Sequence, residues 1–130
     1  MEKMSMSNED YLEAIIMLGG TTKQVVRSVD IANHMGVSKA SVNKAVNYLK
    51  ENGYVEQPFY GGITLTGTGQ RYGRAIYKRH RYLTTFLAKE LGIPPKTAEE
   101  EACTMEHAIS DSSFKKWVAY IDNLGIMEEN

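Results

Sequence analysis

Three side chains that could bind a metal occur close together near the end of the chain, at Cys103, Glu106 and His107. If the segment is helical, they lie at positions i, i+3 and i+4 and share one face. No Pro or Gly interrupts residues 98–117, which favours a helix there. Thiolate, carboxylate and imidazole are all ligands of transition metals. The pattern predicts part of a metal site, since three ligands are too few to close a structural one.

The composition is that of a folded protein, with 42% hydrophobic and 24% charged residues in 130. This length is typical of one domain or of two small lobes. The single cysteine excludes an intrachain disulfide and favours a reducing compartment, so a cytoplasmic location is expected. The sequence begins with no apolar segment of signal-peptide length, and no apolar run is long enough to span a membrane.

Charge is distributed unevenly along the chain. Residues 21–89 contain 11 Lys/Arg and 3 Asp/Glu, a net charge of +8, whereas the whole chain carries −1 and the remainder therefore −9. A basic middle between acidic ends favours a polyanion-binding lobe joined to a lobe of a different kind. Two ordinary solvated faces are the alternative.

Two short helices in the basic middle are predicted to form a helix-turn-helix, with Gly36 in the turn. Ser38 is expected to cap the second helix, at residues 39–52. Its predicted buried face is Val42, Ala45, Val46 and Leu49. Its other face carries small, amide and basic side chains, which suit major-groove contacts, although a helical hairpin that only packs is the alternative. The predicted DNA-binding residues are Ser38, Lys39, Ala40, Ser41, Asn43, Lys44 and Asn47.

A β-hairpin is predicted next, from β-prone segments at 54–57 and 63–66 that flank a Gly-containing tip at 58–62. A hairpin after a recognition helix is typical of a winged helix. A long helix is then expected from Thr68 to about Leu91, carrying His80 and several Arg and Lys. The predicted fold is mainly α with a small β-wing.

Acidic helices are predicted on both sides of this basic region. Ser7 is the expected N-cap of the first helix, on which Asp10 and Glu13 lie one turn apart. Two such carboxylates repel unless a positive group lies between them. Residues 110–113 are expected to break or cap the chain before a last helix. The predicted apolar face of that helix is Phe114, Trp117, Val118 and Ile121.

Two segments together resemble the diphtheria-toxin-repressor-like family of metal-dependent transcriptional repressors, including its manganese-responsive branch. They are Glu9-Asp10-Tyr11-Leu12-Glu13 and Glu101-Ala102-Cys103-Thr104-Met105-Glu106-His107-Ala108-Ile109-Ser110-Asp111. The winged helix and the basic segment around His80 fit the same pattern, so the resemblance covers nearly the whole chain. It implies a DNA-binding domain at residues 1–67, then metal-binding and dimerisation helices at 68–130. The family's longer members add an SH3-like domain, which this chain is too short to hold.

The resemblance also implies a ligand set and a cofactor. The implied metal ligands are Asp10, Glu13, His80, Cys103, Glu106 and His107, with Glu99 as a further candidate. Asp10 matches the manganese branch and Cys103 the iron branch, and Thr84 stands where the iron branch has another carboxylate. The implied cofactor is therefore Mn(II) or Fe(II). The implied partners are a second copy of the chain and a palindromic operator that controls metal-homeostasis genes, with no membrane and no small-molecule substrate.

Two other functions are compatible with the same residues. One is a metalloenzyme with Glu106 as base, but nothing else in the sequence resembles a substrate pocket or an oxyanion-stabilising group. The other is a metal-independent winged-helix regulator in which Cys103 senses redox state. A chelator separates this alternative from the metal-dependent regulator, because a redox sensor would bind DNA equally well without metal.

Overall fold

Helices make up most of the chain, and one small sheet interrupts them in the computed structural model, which describes residues 4–128. The elements in chain order are α1 (Met6–Met17), β1 (Val26–Arg27), α2 (Ser28–Met35), α3 (Lys39–Glu51), β2 (Val55–Phe59), β3 (Gly62–Leu65), α4 (Gly67–Thr85), a π-helical segment (Phe86–Glu90), α5 (Pro95–Met105) and α6 (Asp111–Leu124). None of the helices in the described part of the chain has the length and apolar character needed to cross a membrane.

The chain divides into two compact units, and the division falls inside α4. We call Met1–Tyr77 the N-terminal unit and Lys78–Asn130 the C-terminal unit. Each unit has its own hydrophobic core.

One core in the N-terminal unit joins α1, α2, α3 and the sheet. Its fully buried members include Leu12 and Ile15 of α1 and Ile31 of α2. On α3, the four side chains predicted to face inward are all buried, which confirms that prediction. Because α1 and α3 contribute to the same close-packed core, a displacement of one is transmitted to the other.

The helix-turn-helix has the predicted turn and cap, and α3 ends at Glu51, one residue before the predicted end. Gly36 ends α2 in the left-handed conformation, at φ +67°. The Ser38 hydroxyl then accepts a hydrogen bond from the Ser41 amide at 3.1 Å and caps α3. The predicted cap of α1 was wrong, because Ser5 rather than Ser7 accepts from the Asn8 amide, at 3.2 Å. Both serines are good caps, and the earlier start accompanies burial of Met4 in the core, which local sequence does not reveal.

The wing is a three-stranded antiparallel sheet in the order β1-β3-β2. The two-residue strand β1 was not predicted. The hairpin is tighter than the sequence suggested, since Pro58 and Phe59 belong to β2 and only Tyr60 and Gly61 form the turn. Pro58 is tolerated because β2 is an edge strand, where the missing amide hydrogen need not pair.

Helix α4 begins in close contact with the start of the hairpin. A Cβ at Gly69 would lie 1.8 Å from the Tyr54 carbonyl oxygen, so only glycine fits there. The helical region extends to Glu90, close to the predicted end, but its last turn is π-helical. Gly92, at φ +72°, follows the end of the helical region.

In the C-terminal unit, Leu83, Leu87, Ala98 and Ala102 form a small buried core. Residues 98–117 are not one helix, because α5 ends at Met105 and α6 begins at Asp111. The expected break at residues 110–113 is confirmed, with the Ser110 hydroxyl accepting from the Ser113 amide at 3.2 Å. On the predicted apolar face of α6, Phe114 and Ile121 are buried, whereas Trp117 and Val118 are half-buried.

Candidate metal centre and DNA-binding face

The segment with the predicted ligands Cys103, Glu106 and His107 lies at the end of α5 and in the turn that follows it. Cys103 is in the last helical turn, whereas Glu106 and His107 lie just beyond Met105. Glu106 keeps helical backbone angles (φ −59°, ψ −26°), and its amide donates to the Ala102 carbonyl at 2.9 Å. The i, i+3, i+4 relation therefore extends past the end of the helix as far as Glu106.

A buried carboxylate lies at the centre of this group. The Glu106 side chain is fully buried, and His80 Nδ1 donates to its Oε1 across 2.8 Å. Its other oxygen, Oε2, has no hydrogen-bond partner among residues 4–128, and His107 Nε2 lies 3.8 Å from it. A buried carboxylate oxygen without a hydrogen bond is costly, and a cation at that oxygen would offset the cost.

Two further predicted ligands lie beside the two imidazoles that flank this carboxylate. Glu99 Oε1 is 3.8 Å from His80 Nε2, and the Glu99 side chain is 63% exposed. The Cys103 sulfur is within 4.8 Å of a ring nitrogen of His107. The C-terminal unit thus brings together sulfur, nitrogen and oxygen donors, a set that suits a first-row divalent transition metal. These donors are His80, Glu99, Cys103, Glu106 and His107.

Thr84 follows His80 by one turn of α4, at the position where the iron branch has a carboxylate. Its hydroxyl oxygen is buried and has no hydrogen-bond partner in the described part of the chain. A neutral hydroxyl is a much weaker ligand than a carboxylate, so Thr84 does not replace the missing acid.

The two remaining predicted ligands belong to the N-terminal unit. Glu13 is buried and Asp10 half-buried, one turn apart on α1 as predicted. The neighbouring Glu9 accepts a hydrogen bond of 2.5 Å from the Tyr72 hydroxyl on α4. Burial of Tyr72, and then this bond to Glu9, raise the pKa of the phenol well above its usual value. No local pattern in the sequence indicates this pair, whose members are 63 residues apart.

All seven predicted DNA-binding residues are exposed, at the start and along the outer face of α3. Ser38 and Ser41 bond to each other through their hydroxyls at 3.0 Å, so capping already uses both. Asn43, Lys44 and Asn47 lie on the exposed face, opposite the buried one. At the tip of the wing, the Tyr60 side chain is fully exposed, a feature that sequence analysis missed.

Arg79 is a second residue whose role sequence analysis missed. The sequence shows it only as one of the Lys and Arg residues of the basic segment 21–89. Its side chain is instead only 12% exposed and forms an ion pair with Asp111. Its position directly before His80 was the one feature of the sequence that pointed to a role near the metal ligands. A count of charges does not take such a position into account.

Comparison with known families assigns this arrangement. A profile described as the N-terminal DNA-binding domain of iron-dependent repressors matches residues 3–63. A second, described as their metal-binding and dimerisation domain, matches residues 66–126. The chain belongs to the iron-dependent repressor family. Membership confirms the resemblance and the predicted fold class, with a winged helix-turn-helix before a helical dimerisation domain.

Relatives agree with this assignment. An HTH-type transcriptional regulator from Methanocaldococcus jannaschii is 34% identical over 92% of this chain and 95% of its own length. The regulator MntR of Lysinibacillus sphaericus is 33% identical over 95% of this chain and 86% of its own length. Among solved structures, a manganese-dependent transcriptional repressor in complex with manganese has a TM-score of 0.77 at 33% identity. The crystal structure of IdeR from T. acidophilum has a TM-score of 0.72 at 25% identity.

The chain matches 52% and 56% of the lengths of those two solved chains, while 88% and 94% of its own length is covered. Members of this family are metal-dependent transcriptional repressors that bind DNA, and they are not enzymes. The metalloenzyme alternative is therefore rejected.

Proposed function

We propose that this chain is a repressor that binds Mn(II) or Fe(II) and, as a homodimer, a palindromic operator of metal-homeostasis genes. The observation that carries the proposal is the buried Glu106 carboxylate between two imidazoles, inside the region that matches the family's metal-binding domain. The manganese-dependent repressor among the relatives supports the choice of metal. We also propose a cytoplasmic location, where duplex DNA and a reduced Cys103 would be found together.

The residues present fit a divalent cation. Within the part of the chain that the structure describes, no hydrogen bond reaches the buried acceptor Glu106 Oε2, and His107 lies beside it. We propose Asp10, Glu13, His80, Cys103, Glu106 and His107 as ligands, with Glu99 as a further candidate. A bound cation would neutralise carboxylates that otherwise repel one another.

Two of the proposed ligands, Asp10 and Glu13, are on α1. Their position links metal binding to the DNA-binding helix α3. The buried residues Leu12 and Ile15 of α1 pack in the same core as Val42 of α3. The Tyr72 hydroxyl further ties Glu9, and hence α1, to α4. Ligation through α1 would therefore restrain the recognition helix and favour the dimer geometry that fits the operator. Coupling of this kind is reciprocal: DNA must raise metal affinity by the factor by which metal raises DNA affinity.

DNA contacts are proposed for α3. The candidates for base edges are Ala40, Asn43, Lys44 and Asn47, because they occupy the exposed face. We propose that the residues at the start of the helix contact the sugar-phosphate backbone of the DNA. These residues are Ser38, Lys39 and Ser41. A two-fold dimer reads a two-fold site, so the operator should be palindromic. We propose that residues 1–67 bind DNA and that residues 68–130 bind metal and form the dimer, a division that agrees with the two matched family regions at 3–63 and 66–126.

The proposal is tested by selecting duplexes from a randomised pool in oxygen-free buffer containing Mn(II) or Fe(II). Fluorescence anisotropy then measures affinity for the selected duplex with metal and with chelator. We expect a palindromic consensus and a loss of affinity of at least tenfold in chelator. Equal affinity in both conditions would overturn the metal-dependent model and favour the Cys103 redox sensor.

A second experiment addresses the ligands. His107→Ala should abolish Mn(II) binding measured by calorimetry, with the fold retained by circular dichroism. His34→Ala is the matched control, because His34 is an exposed imidazole on α2. Mn(II) affinity that is unchanged in His107→Ala, or lost equally in His34→Ala, would contradict the proposed site.

A further inference from the structure

Two consecutive residues of α4, Arg79 and His80, both form hydrogen bonds with Glu106. His80 bonds to the Glu106 carboxylate, and Arg79 Nη1 donates to the Glu106 backbone carbonyl at 2.9 Å. Side chain and backbone of Glu106 are thus both fixed from one turn of α4. Of the two, His80 is itself a proposed ligand, whereas Arg79 is a cation and cannot ligate a metal.

Arg79 also bonds to the rest of the turn. Its Nη1 donates to the Ile109 carbonyl, and its Nη2 donates to Asp111 Oδ1 at 2.5 Å. The guanidinium carbon lies 5.1 Å from the centre of the Phe114 ring on α6. One side chain therefore spans residues 106–111, which join α5 to α6.

This turn needs such support. Carbonyl groups at the end of a helix have no partner within the helix. Here Arg79 donates to the carbonyl of Glu106, which directly follows α5, and to that of Ile109 in the connection. Its charge also interacts favourably with the negative end of the α5 dipole. Without Arg79, residues 106 and 107 would lie in a short connection whose carbonyls lack these bonds, and both are proposed ligands.

We propose that Arg79 is a positioning residue for the metal centre, which it stabilises by clamping the turn that presents Glu106 and His107. The inference rests on the proposed function, because it takes those two residues as ligands. Arginine suits the task because its planar fork can bond to several acceptors in different directions, whereas a lysine ammonium would hold fewer of them at this geometry.

A phosphate contact is the competing role for a basic residue in this segment. The 12% exposure of Arg79 and its three acceptors oppose it. The ion pair is not the main component, since the Asp111 side chain is 97% exposed and water and salt screen that charge. The hydrogen bonds from Arg79 to the Glu106 and Ile109 carbonyls therefore contribute most to holding the turn.

The test is Mn(II) affinity of the full chain without DNA, by calorimetry under oxygen-free conditions. Loss of groups that orient metal ligands typically lowers affinity by about 10–100-fold. We expect Arg79→Gln to lose at least about tenfold and Asp111→Asn less. Arg74→Gln, the same change at an exposed position of α4, should stay within about twofold of wild type. The Co(II) spectrum of Arg79→Gln should also change, which a merely stabilising residue would not cause.

The outcomes separate this inference from the proposed function. A wild-type chain that binds neither Mn(II), Fe(II) nor Co(II) overturns the proposed function itself. Wild-type binding with unchanged metal affinity in Arg79→Gln overturns the positioning role alone. If that variant instead lowers the salt dependence of DNA binding, Arg79 is a phosphate contact. Arg79→Lys keeps the charge and the stem, so it remains testable if the glutamine variant fails to fold, and full metal affinity in it would contradict the clamp.

Discussion

Replacing Glu106 with glutamine separates the metal-binding role of this residue from its structural role. The substitution keeps the size of the side chain, and the amide oxygen can still accept the bond from His80 Nδ1. It weakens one charge-assisted hydrogen bond but also removes a charge that is expensive to bury. These effects oppose each other, so we expect the stability of the metal-free protein to change by no more than about 1 kcal/mol.

The metal-bound protein should respond very differently. Free metal at 100 times Kd stabilises a folded protein by about 2.7 kcal/mol. At about 2.1 cal/mol/K per residue, a chain of 130 residues has an unfolding entropy of about 270 cal/mol/K, so Tm should rise by about 10 °C. Loss of an anionic ligand should weaken binding about 100-fold, at the upper end of the range for ligand-orienting groups. The same metal concentration would then equal Kd and raise Tm by only about 1.5 °C.

Differential scanning calorimetry of wild type and Glu106→Gln, with Mn(II) and with chelator, measures both quantities. Glu99→Gln is a useful comparison, because that carboxylate is largely exposed and lies 3.8 Å from His80. A full metal-induced rise of Tm in Glu106→Gln would refute the reasoning, since a ligand cannot be dispensable. A large loss of Tm in chelator would refute the argument that the two structural effects cancel.

Three further predictions concern other parts of the chain. Lys44→Glu should weaken binding to the selected duplex at least about tenfold in anisotropy titrations, with Tm unchanged, whereas Lys96→Glu, also exposed, should not. Tyr72→Phe should lower the free energy of unfolding in urea by about 1–2 kcal/mol through loss of the bond to Glu9. Because the pKa of Tyr72 is raised on folding, wild type should lose this advantage as pH rises above about 10, and an undiminished difference there would contradict the linkage. Cys103→Glu should shift activation of DNA binding toward Mn(II) relative to Fe(II), and an unchanged ratio of activation midpoints would mean that Cys103 is not a ligand.

Much of the fold followed from local signals. Gly36 and Ser38 mark the turn and the cap of the helix-turn-helix, and both act through their own backbone or side chain. The buried face of α3 followed from helical periodicity. Signals of this kind need only a few neighbouring residues, which explains why they could be used without a structure.

The missed features depend on distant residues. Strand β1 has two residues, Val26 and Arg27, and exists only because β3 pairs with it. Capping of α1 at Ser5 rather than Ser7 accompanies burial of Met4 in the N-terminal core. Neither can be deduced from propensity, since the local sequence allows the alternative equally well.

The candidate site shows the same division between local and distant information. The spacing of Cys103, Glu106 and His107 predicted a shared helical face, but α5 ends at Met105 and the helical relation extends only as far as Glu106. The sequence could not indicate that Arg79 bonds to the turn at residues 106–111. A basic residue in a segment of basic residues is normally interpreted as an exposed cation. Its partners are two backbone carbonyls, which leave no trace in residue types.

The hydrogen bond between His80 and Glu106 bears on how such a centre would act as a sensor. This bond fixes the two side chains relative to each other, so binding a cation would require little ordering of either one. A cation at Nδ1 of His80 would have to displace the bond, whereas one at Nε2 could keep it as support from the carboxylate. If the bond is displaced, its loss lowers the net affinity for the cation, and the site would then release its metal at a higher free concentration. If the bond is kept, the carboxylate instead orients the imidazole and the affinity is higher.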